Sequence, residues 1–282
     1  MLSRRQFLQT SLATSAAGLG LGGYTWLIEP HWLEIVRRPL PIAGLPPAMA
    51  GLQLAHLTDI HVGRQVSDDY IRETFHKVAA LNPDIVVYTG DFTTHGPGIF
   101  EHAERMYQDL PRGRLATLGV LGNHDYGPNW AHPEVAARFT GILADSGMRI
   151  LRNEVADVEG LQVMGMDDYW ANQFDPARAV GALDSSRAAI ALTHNPDSAD
   201  LPGWRDYHGW ILCGHTHGGQ CKPPFLPPPM LPVKNRRYTA GEFALEGERQ
   251  MYINRGVGHL SLIHISEPTR LRRISYAVFC LK

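Results

Sequence analysis

The sequence lacks an excess of charge of either sign. Its 26 lysine and arginine residues nearly balance its 28 aspartate and glutamate residues, which leaves a formal net charge of −2. Because no basic field covers the whole chain, we expect no nucleic-acid partner. The sequence also lacks internal repeats, runs of like charge and low-complexity segments. Its 282 residues, 44% of them hydrophobic, are enough for one large globular domain, and we expect a monomer.

Cysteine is scarce. The three cysteines, Cys213, Cys221 and Cys280, show neither paired spacing nor the C-x-x-C pattern of zinc sites. We therefore expect no disulfide framework and no cysteine metal ligand. Histidine, with 14 residues, is plentiful by comparison.

The N-terminal residues 1–28 are predicted to be a twin-arginine (Tat) signal or anchor segment. Arg4 and Arg5 are followed by Phe7 and Leu8, and the chain is then uncharged through Ile28. A basic start before an apolar stretch is the secretory pattern, and the arginine pair indicates the Tat route. An ordinary transmembrane anchor is the alternative. We expect export by the Tat translocase and a periplasmic location, or a membrane-anchored one facing outward, since no clear Ala-x-Ala cleavage site follows.

Five short apolar runs each end in residue types that bind metals. The run at 210–213 precedes His215 and His217, whose i, i+2 spacing directs both imidazoles to one face of an extended chain. The runs at 52–57, 85–88, 118–121 and 189–192 precede, in turn, Asp59 and His61, Asp91, Asn123 with His124 and Asp125, and His194. Because ligands gather beyond the carboxyl ends of strands in α/β sheets, we expect one shared site. The alternative, unrelated loop residues, would need five coincidences.

Between these runs the hydrophobic pattern has a helical period. It predicts helices over 68–81, 100–110, 134–146 and 176–183, and a final hairpin within 243–253. Strands that alternate with helices indicate an α/β fold.

The series Asp59-x-His61, Gly90-Asp91, Gly122-Asn123-His124-Asp125, His194 and Gly214-His215-x-His217 resembles the calcineurin-like metallophosphoesterases. Five dispersed motifs in the family's order make the resemblance specific, and it covers a predicted domain at 33–260. Flanking strings resemble the exported bacterial branch called YaeI-like or YkuE-like phosphodiesterases. The resemblance implies a four-layer αββα sandwich of two mixed β-sheets, which the hydrophobic period alone does not show.

The resemblance also implies a centre of two divalent metal ions. Asp91 would bridge them; Asp59, His61 and His217 would complete the first site, and Asn123, His194 and His215 the second. Mixed imidazole, carboxylate and amide ligands suit manganese, iron or zinc, and we favour manganese. A metal-bridging hydroxide would then attack phosphorus.

Two further residues receive catalytic roles from the resemblance. His124 would protonate or stabilise the leaving group, and Asp125 would orient its imidazole; packing is the alternative for His124. Arg255 is a candidate phosphate contact, with an ordinary surface position as the alternative. The carboxylates of Asp167 and Asp168 follow a predicted strand but are not predicted to be ligands. Five histidines that match no motif are treated as structural or solvent-exposed: His56, His95, His102, His132 and His208.

We expect a metal-dependent phosphoester hydrolase, most closely a phosphodiesterase with an envelope- or lipid-linked substrate. An alternative activity is hydrolysis of the pyrophosphate of UDP-2,3-diacylglucosamine in lipid A biosynthesis, which ranks lower because that step is cytoplasmic. An alternative of another class is an inactive, metal-stabilised envelope-binding domain. All the motif positions are intact, which favours the enzyme.

The final residues, 261–282, depart from the family pattern. The string from Ser261 to Lys282 resembles a translated sequencing adapter, and we predict that it is not native to this protein. The alternative is a genuine divergent tail in which residues 274–281 form the closing strand. No predicted site residue lies beyond Gly258, so the functional assignment is the same in both cases.

The targeting segment yields a first prediction. Replacing Arg4 and Arg5 by lysine keeps the charge but removes the arginine pair, so the double variant should remain in the cytoplasm. Cell fractionation measures this, with the unaltered chain as the control. Normal export of the lysine variant would indicate the general secretory route or simple membrane insertion.

Overall fold

The computed structural model describes residues 3–23, 33–204, 207–219, 228, 231–259 and 274–282. Helix α1 (Arg4–Gly23) lies in the predicted targeting segment, and its large apolar side chains, such as Leu12 and Leu19, are exposed. Within the described ranges, no helix has both the length and the apolar character needed to cross a membrane. The role of residues 1–28 in export stays a prediction.

Strands and helices alternate along the rest of the chain. In chain order the elements are β1 (Leu33–Leu40), β2 (Gln53–Leu57), α2 (Asp68–Ala79), β3 (Ile85–Thr89), α3 (Ile99–Tyr107), β4 (Ala116–Val120), α4 (Pro133–Asp145), β5 (Arg149–Ile150), β6 (Glu154–Val158), β7 (Leu161–Gly165), α5 (Pro176–Gly181), β8 (Ala189–Leu192), β9 (Trp210–Cys213), β10 (Gly241–Ala244), β11 (Gln250–Ile253) and β12 (Ile274–Leu281). The predicted helices coincide with α2 to α5, and the predicted hairpin is β10 and β11. The sequence pattern did not predict β5 or β6.

The described strands form two six-stranded sheets. The first has the order β1-β12-β2-β3-β4-β5, and the second has the order β10-β11-β9-β8-β7-β6. In the first sheet β2 to β5 run parallel and β12 is antiparallel to β2. In the second sheet β7, β8, β9 and β11 run parallel, with β6 and β10 antiparallel at the edges. Both sheets are therefore mixed.

Three apolar clusters separate four layers. One cluster lies between the sheets, where Val87 and Leu118 of the first sheet pack with Ile190 and Leu212 of the second. A second cluster joins the outer face of the first sheet to α2, α3 and α4, and a third covers the outer face of the second sheet with α5 and the segment around Trp204. The predicted four-layer αββα sandwich of two mixed β-sheets is confirmed.

The parallel strands direct their carboxyl ends to one edge of the sandwich. Hydrogen bonds join the loops that leave them: the Asp59 N–H donates to the Gly90 carbonyl at 2.9 Å, and the Gly214 N–H donates to the His194 carbonyl at 3.1 Å. The Val257 N–H reaches across to the Thr58 carbonyl at 3.0 Å and so links the two sheets. The strand ends that carry the motifs therefore meet in one place.

Strand β12 occupies an interior position of the first sheet. It pairs in parallel with β1 and antiparallel with β2, and Tyr276, Phe279 and Leu281 are buried. Residues 274–281 thus take the place of a closing strand, while residues 261–273 lie outside the described part of the chain. An apolar segment of any origin can pair with an open sheet edge, so the adapter origin stays a prediction.

The adapter interpretation can be tested on the gene. We expect that amplification and sequencing of the genomic 3′ end will give a different sequence after about residue 260, encoding another strand for the β12 position. Codons 1–258 from the same amplification serve as the control. Recovery of the codons for residues 261–282 would show that the tail is native.

Candidate metal centre

Six of the predicted side chains form two groups of three. The groups are Asp59, His61 and His217, and Asp91, His194 and His215; within each, the potential ligand atoms lie within 4.8 Å of one another. In the first group, Asp59 Oδ1 lies 3.2 Å from His217 Nε2 and 3.8 Å from His61 Nε2. In the second group, His215 Nδ1 lies 3.0 Å from His194 Nε2. The first group contains the three residues that the family resemblance implies for the first site. The second contains Asp91 and two of the three residues implied for the second site, His194 and His215, without Asn123.

The carboxylate of Asp91 belongs to the second group and also faces the first. Its Oδ2 lies 3.2 Å from His194 Nε2 and 3.6 Å from His61 Nε2. Its other oxygen, Oδ1, accepts the backbone N–H of His124 at 2.9 Å, which fixes the carboxylate orientation. A carboxylate held between two ligand groups is the arrangement that a bridge between two cations requires.

Hydrogen bonds on the outer side of three imidazoles set which nitrogen faces the centre. The Nδ1 of His61 hydrogen-bonds with the Thr94 hydroxyl at 3.1 Å, and His194 Nδ1 donates to the Thr89 carbonyl at 2.7 Å. His215 has the opposite orientation: its Nε2 donates to the Pro232 carbonyl at 2.8 Å, and its Nδ1 faces the centre. Such partners fix the tautomer of a metal ligand and increase its basicity.

Asn123 supplies an independent sign that the site is built for a cation. Its side chain is buried, yet neither its Oδ1 nor its Nδ2 has a hydrogen-bond partner among the described residues. Buried polar atoms left unpaired cost about 1–3 kcal/mol each, and a metal ion would satisfy the amide oxygen. The donor set therefore fits a metal centre.

Burial and nearby carboxylates give the imidazoles of the centre different pKa values. Burial lowers the pKa of His61 and of His215 to about 3, so both are neutral and able to bind metal. Burial acts in the same direction on His194, but Asp91, Asp59 and Asp168 outweigh it and raise its pKa to about 10. Despite burial, nearby imidazoles hold the pKa of Asp59 and of Asp91 below the usual range. The centre therefore combines ionised carboxylates with two neutral imidazoles, those of His61 and His215, which are the forms of these groups that bind a metal ion.

Five of the predicted ligands have left-handed backbone conformations, which non-glycine residues rarely adopt. The φ angles are 52° at Asp59, 54° at His61, 53° at Asp91, 71° at His215 and 48° at His217. Strained backbone of this kind, at about 1–3 kcal/mol per residue, persists where surrounding structure holds it, and it clusters at functional sites.

Two glycines allow the motif loops to lie close to one another. A Cβ atom at Gly122 would lie 2.5 Å from the Asp91 nitrogen and 2.9 Å from His194 Cδ2. A Cβ atom at Gly256, where φ is 84°, would lie 2.8 Å from Asp59 Cβ. Side chains at these positions would displace the carboxylates, so the glycines are part of the site's construction.

His124 lies at the centre, but Asp125 does not orient its ring. The half-buried His124 imidazole packs edge-on against His61, with ring centroids 5.2 Å apart. The Asp125 carboxylate instead accepts the backbone N–H groups of Phe92 and Gly122, at 2.9 and 2.8 Å. The predicted role of Asp125 is therefore wrong in its detail: this buried carboxylate joins the loops after β3 and β4, and it acts on the site through the backbone.

Arg255 is engaged elsewhere. Its guanidinium forms an ion pair with Glu34 at 2.8 Å, and its side chain is 19% exposed. The structure thus gives it a structural partner in β1 in place of the proposed phosphate contact. Asp167 likewise pairs with Arg152 at 2.7 Å, which agrees with its exclusion from the ligand set.

The histidines outside the motifs have the structural or exposed positions expected. His56 is buried and hydrogen-bonds with the Thr89 hydroxyl at 2.8 Å. His102 pairs with Asp68 and His132 with Glu134, while His95 and His208 are exposed.

Sequence reasoning missed several residues that support the site. The Thr58 hydroxyl donates to Asp59 Oδ2 at 2.8 Å, and its place beside the first motif is the one signal that could have indicated it. The contact of Trp170 with His215, with ring centroids 4.4 Å apart, has no sequence signal, because the two residues lie 45 positions apart in the chain. Asp168 is also buried close by, and burial raises its pKa to about 7.

Comparison with known proteins supports the metal centre and its ligands. The family model described as calcineurin-like phosphoesterase matches residues 52–219, a range that includes every predicted ligand. The chain is 32% identical to phosphodiesterase YaeI of Escherichia coli strain K12, over 92% of this chain and 94% of that protein. It is 28% identical to the uncharacterized metallophosphoesterase YkuE of Bacillus subtilis strain 168, over 100% and 98%. It is 24% identical to UDP-2,3-diacylglucosamine pyrophosphatase LpxG of Chlamydia muridarum, over 88% and 91%.

The unpaired amide of Asn123 yields a prediction about metal binding. Asn123→Ala removes a ligand, so manganese binding should weaken at least about tenfold, and the stabilisation that the metal confers should fall by about 1.4 kcal/mol. The metal-free variant should be no less stable than the unaltered protein, because an unsatisfied buried group is lost. Urea unfolding with and without manganese measures both quantities.

Asn153→Ala is the matched control. The Asn153 amide is also buried, but it is hydrogen-bonded to Gln173 and Asp167, at 2.7 and 3.0 Å. Its loss should lower the stability of both forms by about 1–3 kcal/mol and leave the difference between them unchanged. If Asn123→Ala behaves in the same way, Asn123 is a packing residue.

Proposed function

This chain belongs to the calcineurin-like phosphoesterase family, and we propose that it hydrolyses phosphodiesters in the cell envelope. The observation that carries the proposal is the Asp91 carboxylate, which joins the two three-residue groups: its Oδ2 lies 3.2 Å from His194 Nε2 in its own group and 3.6 Å from His61 Nε2 in the other. The name of the YaeI relative as a phosphodiesterase, at 32% identity over nearly the whole chain, favours diesters over monoesters.

The chemistry that the centre needs follows from its ligands. Two divalent ions bound there would activate water and stabilise both the attacking and the leaving oxygen of an in-line displacement. Imidazole, carboxylate and amide ligands together suit manganese, iron or zinc better than magnesium or calcium, and we favour manganese. Asp59, His61 and His217 would hold one ion, and Asn123, His194 and His215 the other, with Asp91 shared.

We propose that His124 donates the proton to the leaving group. Its backbone N–H holds Asp91 Oδ1, so the residue is fixed to the bridging carboxylate, while its ring packs against His61 and remains half-buried. A ring in that position is beside the centre without belonging to either ligand group. It is therefore available to donate a proton to an oxygen that leaves the phosphorus atom.

A second candidate activity is cleavage of the pyrophosphate in UDP-2,3-diacylglucosamine. It is supported by the 24% identity to the Chlamydia muridarum protein named for that reaction. The third candidate is an inactive metal-stabilised binding domain. Such a domain would not need strained ligand conformations for turnover, so their presence favours an enzyme. Side-by-side assays of a phosphodiester and a nucleotide-linked pyrophosphate separate the three.

We further propose that the protein is a monomer exported by the Tat translocase. It would act in the periplasm, or on the outer face of the membrane if residues 1–28 are retained as an anchor. The support is the Arg4-Arg5 pair and the uncharged stretch behind it. A substrate in the envelope, lipid-linked or otherwise, would be accessible from that location.

The catalytic assignment yields a prediction. With manganese, the protein should hydrolyse bis(4-nitrophenyl) phosphate, and Asp91→Ala should abolish turnover and lower the bound metal. His124→Ala should keep its metal but lose turnover by about 10²–10⁴-fold on a diester with a poor leaving group such as an alkoxide. The loss should be smaller with nitrophenolate, which needs little protonation.

Absorbance assays and metal analysis of the same samples test these outcomes. Full activity of Asp91→Ala, or activity that survives thorough chelation, would reject the two-metal mechanism. Equal losses in His124→Ala on good and poor leaving groups would reject its role as proton donor.

A further inference from the structure

Two tryptophans extend from the metal centre to the surface. Trp170 packs edge-on against His215, with ring centroids 4.4 Å apart and planes at 89°. Trp130 packs against Trp170 in turn, with ring centroids 4.6 Å apart and planes at 33°. We call Trp130 and Trp170 the tryptophan wall. It begins at a predicted metal ligand and ends in solvent.

Trp130 is exposed, whereas nearly all large apolar side chains in the described residues after α1 are at least partly buried. Among the described residues after α1, only Leu115 and Trp130 are large hydrophobic side chains with high exposure, at 42% and 36%. Leu115 precedes β4 at the amino ends of the parallel strands, far from the motif loops. Trp130 is instead on the side of the metal centre, where an exposed aromatic surface is available to a ligand.

The backbone holds Trp130 in an unfavourable conformation. Asn129 and Trp130 have φ angles of 54° and 59°, and a bulky residue in this region is a genuine outlier. Hydrogen bonds fix the turn, with the Trp130 N–H donating to the Gly127 carbonyl at 3.1 Å and the His132 N–H to the Tyr126 carbonyl at 3.0 Å. A fixed and strained conformation that exposes an aromatic ring suggests a functional role for that ring.

The Trp130 turn continues directly from the turn that carries Asn123 and His124. That turn spans Asn123–Tyr126, and the Gly127 N–H donates to the His124 carbonyl at 3.1 Å. The position of Trp130 is therefore coupled to the residue assigned to protonate the leaving group. A substrate whose phosphate lies at the metal centre would extend an ester group along this wall.

We propose that the tryptophan wall binds an apolar group esterified to the phosphate of the substrate, either an alkyl chain or an aromatic ring. The proposal rests on the proposed function, because it takes the metal centre as the phosphate site. Aromatic surface attracts both kinds of group, through burial of apolar area and through ring stacking. Trp130 and Trp170 would then determine specificity, without a part in the chemical step.

Binding of phosphonates to the manganese-loaded full chain tests the wall without requiring turnover. The ligands are methyl-, hexyl- and phenylphosphonate, which share one headgroup and differ in the apolar part. Titration calorimetry should give tighter binding of hexyl- or phenylphosphonate than of methylphosphonate by at least about tenfold. The better of the two identifies whether an alkyl or an aromatic group is preferred.

Trp130→Gly is the informative variant, because glycine adopts the positive φ at this position without strain. It should reduce the preference over methylphosphonate at least about fivefold and change methylphosphonate binding less than twofold. Leu115→Ala, which removes the other exposed apolar side chain, should leave all three affinities unchanged.

Equal affinities for the three phosphonates in the unaltered protein, or an unchanged preference in Trp130→Gly, would overturn the proposal and leave Trp130 as a contact for another macromolecule. Failure of every phosphonate to bind would overturn the wall together with the metal centre. The expected preference combined with no hydrolysis of any phosphodiester would support the wall and reject the proposed function.

Discussion

The arrangement of the site depends on the burial of two carboxylates, those of Asp59 and Asp91. Charged groups removed from water are costly unless they are paired and hydrogen-bonded. One oxygen of each is paired: Asp59 Oδ2 accepts the His215 N–H at 3.0 Å, and Asp91 Oδ1 accepts the His124 N–H at 2.9 Å. The other oxygens face imidazoles across the centre, where divalent cations would bind between them. This is why the loops of both sheets converge here.

The convergence of the loops strains their backbone, and hydrogen bonds between neighbouring loops hold the strained conformations in place. The five motif residues named above take left-handed conformations. Hydrogen bonds join the loops that carry them; the His61 N–H, for example, donates to the Asp91 carbonyl at 3.0 Å. Asp125 adds a buried carboxylate that binds backbone N–H groups of two loops. The ligand positions are therefore set by hydrogen bonds to the backbone as much as by the identity of the ligands.

The site also requires that the two sheets pack together. Asp59 and Asp91 follow strands of the first sheet, whereas His194 and His215 follow strands of the second. Because neither sheet carries a complete ligand group by itself, the apolar cluster between them is a condition for metal binding. The same packing brings the turn with Trp130, which follows β4 of the first sheet, against Trp170, which follows β7 of the second. Metal binding and the proposed selection of an apolar group therefore both depend on the contact between the sheets.

The sequence by itself determined the parts that depend on local pattern. Short apolar runs followed by Asp59, Asp91, Asn123 or His194 predict strands that end at a site, and the helical period predicts α2 to α5, because both signals lie within a few neighbouring residues. The family resemblance added the second sheet and the division of the ligands. Only the tertiary structure decided that Asp125 binds backbone, that Arg255 pairs with Glu34, and that Trp130 and Trp170 lead away from His215. These contacts join residues far apart in the chain, and packing, which no local pattern records, selects them.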